Sequence, residues 1–475
     1  MSEQQHIHLI GICGTAMASL AGLLKQRGLR VTGSDAAVYP PMSEMLAALS
    51  IPVQQPYAES NLQPRPDLVV VGNAISRGNP ELEYVLDQRI PLRSMPQVLY
   101  EFFLRGRESI VVAGTHGKTT TTAMLAWIFQ AAGHNPSFLV GGVAENFASS
   151  FALKPGKHFI LEGDEYDTAF FDKGPKFLHY FPDAAVLTSV EFDHADIYSD
   201  LEAVKTAFRR LVNLVPRRGE IVAFDADTNV SDCVSRALCR VERYGFREGS
   251  HWRATDIRYE PACTRWSVMR EGQPWAEFEF PLAGEYNVLN ATAAAAVAAE
   301  YDVPPATIGK ALREFKGVKR RLEVRGEVNG VTFVEDFAHH PTAIAGTLQA
   351  LRMRYPGRRL WVLFEPRSNT LRRNVFAERL VESLALADRV VIADIFRPEV
   401  IPEAERLDLA KVLTELGRRG TGAQNLADAD TIATAVAPEL RPGDVVAILS
   451  NGGFGGIYEK LPQRLKNLSA VSSSA

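Results

Sequence analysis

Cysteine is scarce. Cys13, Cys233, Cys239 and Cys263 are the four among 475 residues, and no two of them form a CxxC pair. That argues against a disulfide framework or a zinc site and makes the reducing cytoplasm the expected compartment. Long apolar runs are missing, so no segment is expected to cross a bilayer and no membrane partner is expected. The opening MSEQQHIHLI has neither the basic segment nor the apolar stretch of a signal peptide. A basic excess is absent as well: the net charge of −4 argues against nucleic acid as a partner. No internal repeat is visible, no obligate protein partner is evident, and the small polar tail Ser469 to Ala475 is expected to fray. What remains is 46% hydrophobic and 23% charged, ordinary for a soluble globular chain long enough for two to three domains.

Apolar runs alternate with helical patterns almost throughout, the signature of parallel α/β layers, so the expected fold class is α/β. Three regions separate, at residues 1–107, 108–320 and 321–475. The first closes on the charged segment Arg105-Gly-Arg-Glu108, and the second closes on the basic segment Lys316-Gly-Val-Lys-Arg-Arg321. The third carries strand-like runs at Val331–Val334, Leu360–Phe364, Arg389–Ala393 and Val445–Leu449.

The clearest chemical signal opens the second region. Ile110-Val-Val-Ala113 reads as a buried strand, followed by Gly114, Thr115, His116, Gly117, Lys118, Thr119 and Thr120. A helix then follows, with Met124, Leu125, Ile128 and Phe129 on one face. Strand, glycine loop and helix N-terminus form a phosphate cradle. Backbone N–H groups and the helix dipole face the anion, Lys118 adds a positive charge, and Thr119 can reach a metal ion. Val112 stands where the longer Walker pattern places its first glycine. The bland alternative is a glycine turn with a surface lysine.

Phosphoryl transfer needs a divalent cation and therefore carboxylates near the loop. The strand His158-Phe-Ile-Leu161 ends in Glu162-Gly-Asp-Glu-Tyr-Asp167, and the strand Ala185–Val190 ends in Glu191-Phe-Asp-His-Ala-Asp196. Acids at the C-terminal ends of parallel strands lie on the ligand-binding rim. Glu162 and His194 are the metal candidates. For any single acid, helix capping is an equally good account. The aromatic-rich stretch holding Phe170, Phe171, Phe177, His179, Tyr180 and Phe181 is expected to pack rather than to touch ligand.

A second glycine segment, Gly11-Ile-Cys-Gly-Thr-Ala16, follows the strand-like Ile7–Ile10. Cys13 breaks the GxGxxG dinucleotide fingerprint, while Asp35 stands about where a ribose-binding acid would. Val69 to Ser76 reads as another strand and loop of the same pocket, or as a simple turn.

At this point the motifs take on a family likeness. GTHGKTTT, EGDEYD, EFDHADIY, GEYNVLNA, KRRLE and EDFAHHPT occur in the order found in Mur ligases, and the chain resembles that family over nearly its whole length. The resemblance implies a three-domain architecture: an N-terminal Rossmann-like domain for a UDP-sugar, a central P-loop ATPase domain, and a C-terminal Rossmann-like domain that closes over ATP. It implies ATP and Mg2+ as cofactors. Lys118 matches the phosphate lysine, Glu162 the magnesium ligand and His194 the metal-site histidine, with Thr119 completing the metal set. Asn287 and Asn290 match the pair near adenine and phosphates. Arg321 and Asp336 match the hinge-side pair that binds ATP. Gly11, Gly14, Thr15, Ser34, Asp35, Asn73 and Ser76 fall to the UDP-sugar, and His339 to substrate. Several members carry a carbamylated lysine where this chain has Phe208; Lys205 stands one turn earlier, so no carbamate is assigned.

Within the family the chain most resembles the branch that joins a murein tripeptide to UDP-N-acetylmuramate. GICGTAMASLAGLL, GSDAAVYPPMS, FFDKGPKFLHYFP and FEPRSNT carry that likeness. The substrates implied are UDP-N-acetylmuramate and L-alanyl-γ-D-glutamyl-meso-diaminopimelate. Leu360–Phe364 ends in Glu365-Pro-Arg-Ser-Asn-Thr370, so Arg367 could grip an acceptor carboxylate with two parallel hydrogen bonds, with Ser368 and Asn369 adding neutral contacts. The bland reading makes Arg367 a surface arginine, like Arg372 and Arg373 beside it. Two other functions compete: addition of L-alanine to the same nucleotide, and a nucleotide-binding regulator without chemistry.

Overall fold

The structure, a computed structural model, describes residues 4–38, 42–260 and 262–472. Residues 39–41 of the GSDAAVYPPMS segment and residues 473–475 of the polar tail lie outside that set. The rest of the tail is not frayed in its backbone, because the helix Ile457–Ser472 continues through it. Among the described residues no helix is long and apolar enough to cross a membrane.

Three sheets organise the chain. The N-terminal sheet has five parallel strands, in the order Val53–Gln54, Arg30–Ser34, His6–Ile10, Leu68–Val71, Leu92–Ser94. The central sheet has ten strands. Its parallel heart runs Glu220–Phe224, Ala184–Leu187, Glu108–Ala113, His158–Gly163. The C-terminal sheet has six strands, with Val331–Asp336, Val445–Leu449, Leu360–Phe364 and Arg389–Ala393 parallel at its centre. Strands buried on both faces read as unbroken apolar runs, which is why these were visible in the sequence.

Alternation still decides which layer each side chain joins. Leu360, Val362 and Phe364 enter one cluster of the C-terminal unit, while Trp361 and Leu363 enter the other. Each large apolar side chain so buried contributes about 1.5–3 kcal/mol. The central helix Lys118–Ala131 is buried almost all round, because it lies between the sheet and the helix Glu285–Glu300. Buried Ala291, Ala293, Ala294, Ala295 and Ala298 on that second helix give no bulk to hold the two apart.

Several expectations are corrected. The strand expected at Ala185–Val190 stops at Leu187. Beyond it Thr188 donates through its amide to Ala113 O at 3.0 Å, and Ser189 O accepts from the amide of Thr115 at 3.0 Å, so these residues strap the phosphate loop instead of extending the sheet. An antiparallel meander, Trp252–Tyr259, Thr264–Arg270 and Gln273–Phe280, was not anticipated; nor were the flanking strands Glu323–Val328 and Gly422–Leu426. The aromatic stretch packs only in part. Phe177 and Tyr180 are buried, and Phe170 inserts against the N-terminal core, but Phe171 and Phe181 are 41% and 50% exposed.

Candidate active site

The C-terminal ends of His6–Ile10, Glu108–Ala113 and Val331–Asp336 feed the loops around one cavity of about 980 Å³. That volume suits a nucleotide and a second ligand together. Thr15 enters the cavity from the N-terminal unit, the 115–120 loop from the centre, and Arg321, Asp336 and His339 from the C-terminal unit.

Two glycines explain the shape of the phosphate loop. Gly114 has φ +133°, and a Cβ there would lie 2.1 Å from Thr188 Oγ1; Gly117 has φ +80°, and its Cβ would lie 2.5 Å from Asn290 Oδ1. A side chain at either position would be strained and would clash. Asn290 therefore abuts the loop. Asn290 lines the cavity, and its buried Nδ2 has no hydrogen-bond partner among the described residues. Asn287 is equally buried and donates to Ala283 O at 2.8 Å.

Lys118 folds back over its own loop. Its Nζ donates to Gly114 O at 2.6 Å and pairs with Glu165 at 2.9 Å. Burial opposes its charge, but Glu165, Glu162 and Asp164 outweigh it and raise its pKa. Glu162 accepts from Thr119 Oγ1 at 3.1 Å and from the Gly141 amide at 2.8 Å. Thr119 and Glu162 thus offer two adjacent oxygens at the loop, a donor set that fits magnesium.

His194 lines the same cavity. Its Nε2 lies 3.4 Å from Glu165. Burial disfavours its charge, yet the hydrogen bond and charge of Glu165 push its pKa up to about 9. Lys205 is held by Glu202 at 2.8 Å and by Asp232, while Phe208 is buried against Phe177.

On the C-terminal side, Arg321 Nη2 donates to Thr119 Oγ1 at 3.3 Å, which brings the hinge onto the phosphate loop. Asp336 lines the cavity, but its two oxygens accept from the amides of Leu322 at 2.6 Å and Ala338 at 2.8 Å. His339 also lines the cavity; its Nδ1 meets Phe337 O at 2.8 Å, which places the hydrogen on Nδ1 and leaves Nε2 as an acceptor.

Other candidates do not reach the cavity. Ser34 is fully buried and donates to Glu81, so it cannot touch a ligand at the surface. Asp35 Oδ2 accepts from the Cys13 amide at 2.8 Å and braces the Gly11–Gly14 turn. Asn73 and Ser76 lie exposed beyond the strand Leu68–Val71, and neither lines the cavity. Arg367 lies over the Phe396 ring at 3.7 Å and 3.4 Å from Glu365, outside the cavity lining. Ser368 donates to His339 O at 3.3 Å, and Asn369 accepts from Arg372; both hold the loop. Arg372 is not the surface arginine it resembled. It is buried, and it donates to the carbonyls of Phe396 at 3.1 Å and Arg397 at 3.4 Å.

The chain belongs to the Mur ligase family. Three family models match in succession: the Mur ligase family catalytic domain over residues 6–107, the Mur ligase middle domain over 112–298, and the Mur ligase glutamate ligase domain over 320–452. It is 44% identical, over 96% of its length and 97% of the relative's, to the UDP-N-acetylmuramate–L-alanyl-γ-D-glutamyl-meso-2,6-diaminoheptandioate ligase of Escherichia coli K12. The Haemophilus influenzae ligase of the same description is 39% identical over 97% of this chain and 99% of its own. A crystal structure of a murein peptide ligase from Psychrobacter arcticus superposes with a TM-score of 0.74 at 38% identity, covering 98% of this chain and 99% of that one.

Sequence reasoning missed Glu165, Glu191 and Arg379. A signal existed for the first: a lysine buried at a phosphate loop needs a counter-charge, and EGDEYD offered four acids without showing which one turns inward.

Proposed function

We propose that the chain joins the tripeptide L-alanyl-γ-D-glutamyl-meso-diaminopimelate to UDP-N-acetylmuramate with consumption of ATP. The full-length similarity to ligases described by that reaction carries the proposal. The cavity supports the chemistry, since all three units contribute to it. We assign UDP-sugar binding to residues 1–107, ATP to 108–320, and acceptor binding and closure to 321–475.

The lactyl carboxylate of the sugar attacks the γ-phosphate of ATP, and ADP leaves. The α-amine of the tripeptide then attacks the acyl carbon of the resulting acyl phosphate, phosphate departs, and an amide forms. Lys118 screens the repulsion between the two anions of the first step; its ammonium exchanges Glu165 for phosphate oxygens without leaving the loop. Thr119 and Glu162 would hold magnesium, which when bound neutralises phosphate charge. Arg321, already on Thr119, closes the hinge side. Water must be kept from the acyl phosphate, and closure of the C-terminal unit provides that exclusion.

The acceptor lies with its amine in the cavity and its distal carboxylates towards Arg367. Arg397, 5.3 Å from the same Phe396 ring, adds a second guanidinium there, and no ion pair to it occurs among the described residues. The test is phosphate release with UDP-N-acetylmuramate plus tripeptide or L-alanine. Turnover with tripeptide is expected, and turnover with L-alanine alone would overturn the proposal.

A further inference from the structure

His116, Glu191 and His340 converge beside the phosphate loop with their ligand atoms within 4.8 Å of one another. Two imidazoles and a carboxylate have the composition of a metal site, but the local bonding argues otherwise. His340 Nδ1 accepts from the Thr342 amide at 3.3 Å, so its hydrogen sits on Nε2 and no lone pair faces the cluster. The Arg379 guanidinium and the Thr342 hydroxyl already hold Glu191 Oε2, each at 2.9 Å, and would repel or displace a cation.

What the cluster does instead follows from its connections. Glu191 Oε1 lies 3.3 Å from His116 Nε2, and the Glu191 amide donates to Thr115 Oγ1 at 2.9 Å, so both backbone and side chain touch the phosphate loop. Its other oxygen belongs to Arg379 and Thr342, on two helices of the C-terminal unit. Rings continue the bridge: His116 lies against His340 at 4.8 Å and His340 against Phe376 at 4.9 Å, with Arg379 over Phe376 at 5.3 Å. Opening the C-terminal unit would strip Arg379 and Thr342 from the carboxylate that lies beside His116 Nε2.

We infer that Glu191 is a positioning residue that couples closure of the C-terminal unit to the conformation of the phosphate loop, with Arg379 and Thr342 acting on His116 through it. The inference rests on the proposed ATP-dependent reaction of this cavity. Arg379 is half exposed and its pair with Glu191 alone would be weak, so the coupling is expected from the shared carboxylate rather than from one surface bridge.

The experiment is a double-mutant cycle on the full-length protein, read as kcat and as KM for ATP. Arg379→Ala is expected to lower kcat about tenfold, equivalent to about 1.4 kcal/mol, with KM for ATP within about twofold. Arg379→Lys, which keeps the charge, should recover much of the loss. Glu191→Gln should match Arg379→Ala, and the double variant should be no slower than the slower single. Multiplying effects, or an unchanged kcat in Arg379→Ala, would overturn the coupling. If Glu191→Gln does not fold, Thr342→Val with Arg379→Ala runs the same cycle from the C-terminal side alone, with the same two readings. Wild-type turnover separates the failures: an enzyme that releases phosphate but shows additive variants loses only the coupling, whereas one that binds no ATP loses the loop assignment and the coupling with it.

Discussion

The chain uses one turn twice, and the two uses differ in where their hydrogen bonds go. In the N-terminal unit, the Gly11 and Ile12 amides donate to Ser34 O at 2.9 and 3.1 Å, and the Cys13 amide donates to Asp35 at 2.8 Å. The turn is fastened to its own sheet, and the start of helix Thr15–Gln26 is left to meet an anion. In the central unit the Thr115 and His116 amides are fastened to Ser189, but Lys118 adds a charge that no residue of the first turn matches. Under the proposed function, the difference separates holding a diphosphate from moving a phosphoryl group. Binding needs fixed dipoles; transfer also needs a cation that can follow charge as it develops.

The largest expected effect breaks that comparison directly. Lys118→Ala makes the central turn resemble the N-terminal one, and ligation should fall by about three orders of magnitude. Calorimetric binding of UDP-N-acetylmuramate should stay within about twofold. Near-normal turnover in a folded variant would remove the loop from the chemistry. Arg321→Ala comes next, since it loses a contact to Thr119 without touching the N-terminal turn. KM for ATP should rise about tenfold or more, in line with about 1.5–3 kcal/mol for a charge-assisted hydrogen bond, while UDP-sugar binding holds. Equal loss of both would argue against the division of labour between the turns.

A smaller effect is expected at Arg367, which belongs to neither turn. Arg367→Ala should raise the tripeptide KM by about tenfold with kcat, ATP and UDP-sugar unaffected, as a loss of uniform binding. Steady-state kinetics with each substrate varied in turn would check it. An unchanged tripeptide KM would return the residue to its contacts with Glu365 and Phe396 alone.

What was legible follows the same physics. The strands that carry the site are buried on both faces, so their apolar runs stood out. The edge strand Glu323–Val328 is mostly exposed and reads Glu-Val-Arg-Gly-Glu-Val, with only two apolar side chains and no apolar run to mark it. The strand before His194 was drawn too long because Thr188 and Val190 have strand-forming side chains; only the three-dimensional neighbour, the phosphate loop, ends it. Ser34, which the resemblance gave to the UDP-sugar, is turned inward by the pleat to Glu81. Glu191 and Arg379 are 188 residues apart, and no local pattern links them. Motif spacing singled out the loop, Lys118 and Glu162, which line one cavity; it did not single out the pairs that cross between units.

The smallest prediction sharpens the role of Asp35, which the sequence offered as a ribose contact and the structure uses as a brace. Its Oδ2 holds the Cys13 amide, and an asparagine can accept that hydrogen bond equally well. Asp35→Asn should therefore leave the UDP-sugar KM within about twofold. Asp35→Ala, which loses the acceptor, should raise it severalfold, as expected for about 0.5–1.5 kcal/mol per neutral hydrogen bond. An asparagine variant as impaired as the alanine one would mean that the carboxylate itself meets the ligand. The neighbouring thiol gives an independent reading. Burial, and then the Asp35 charge, push the Cys13 pKa up to about 11, so at pH 8 about one molecule in a thousand carries the thiolate. Alkylation of Cys13 by iodoacetamide should be slow at pH 8 and quicken about tenfold per pH unit until the thiol titrates. Removing the charge in Asp35→Asn lowers that pKa, so labelling at fixed pH should speed up. Cys233, which is buried elsewhere and whose raised pKa does not depend on Asp35, should react as slowly as before. Faster labelling of both cysteines would point to a loosened fold rather than to lost charge, and unchanged labelling of Cys13 would separate Asp35 from the turn it is drawn against.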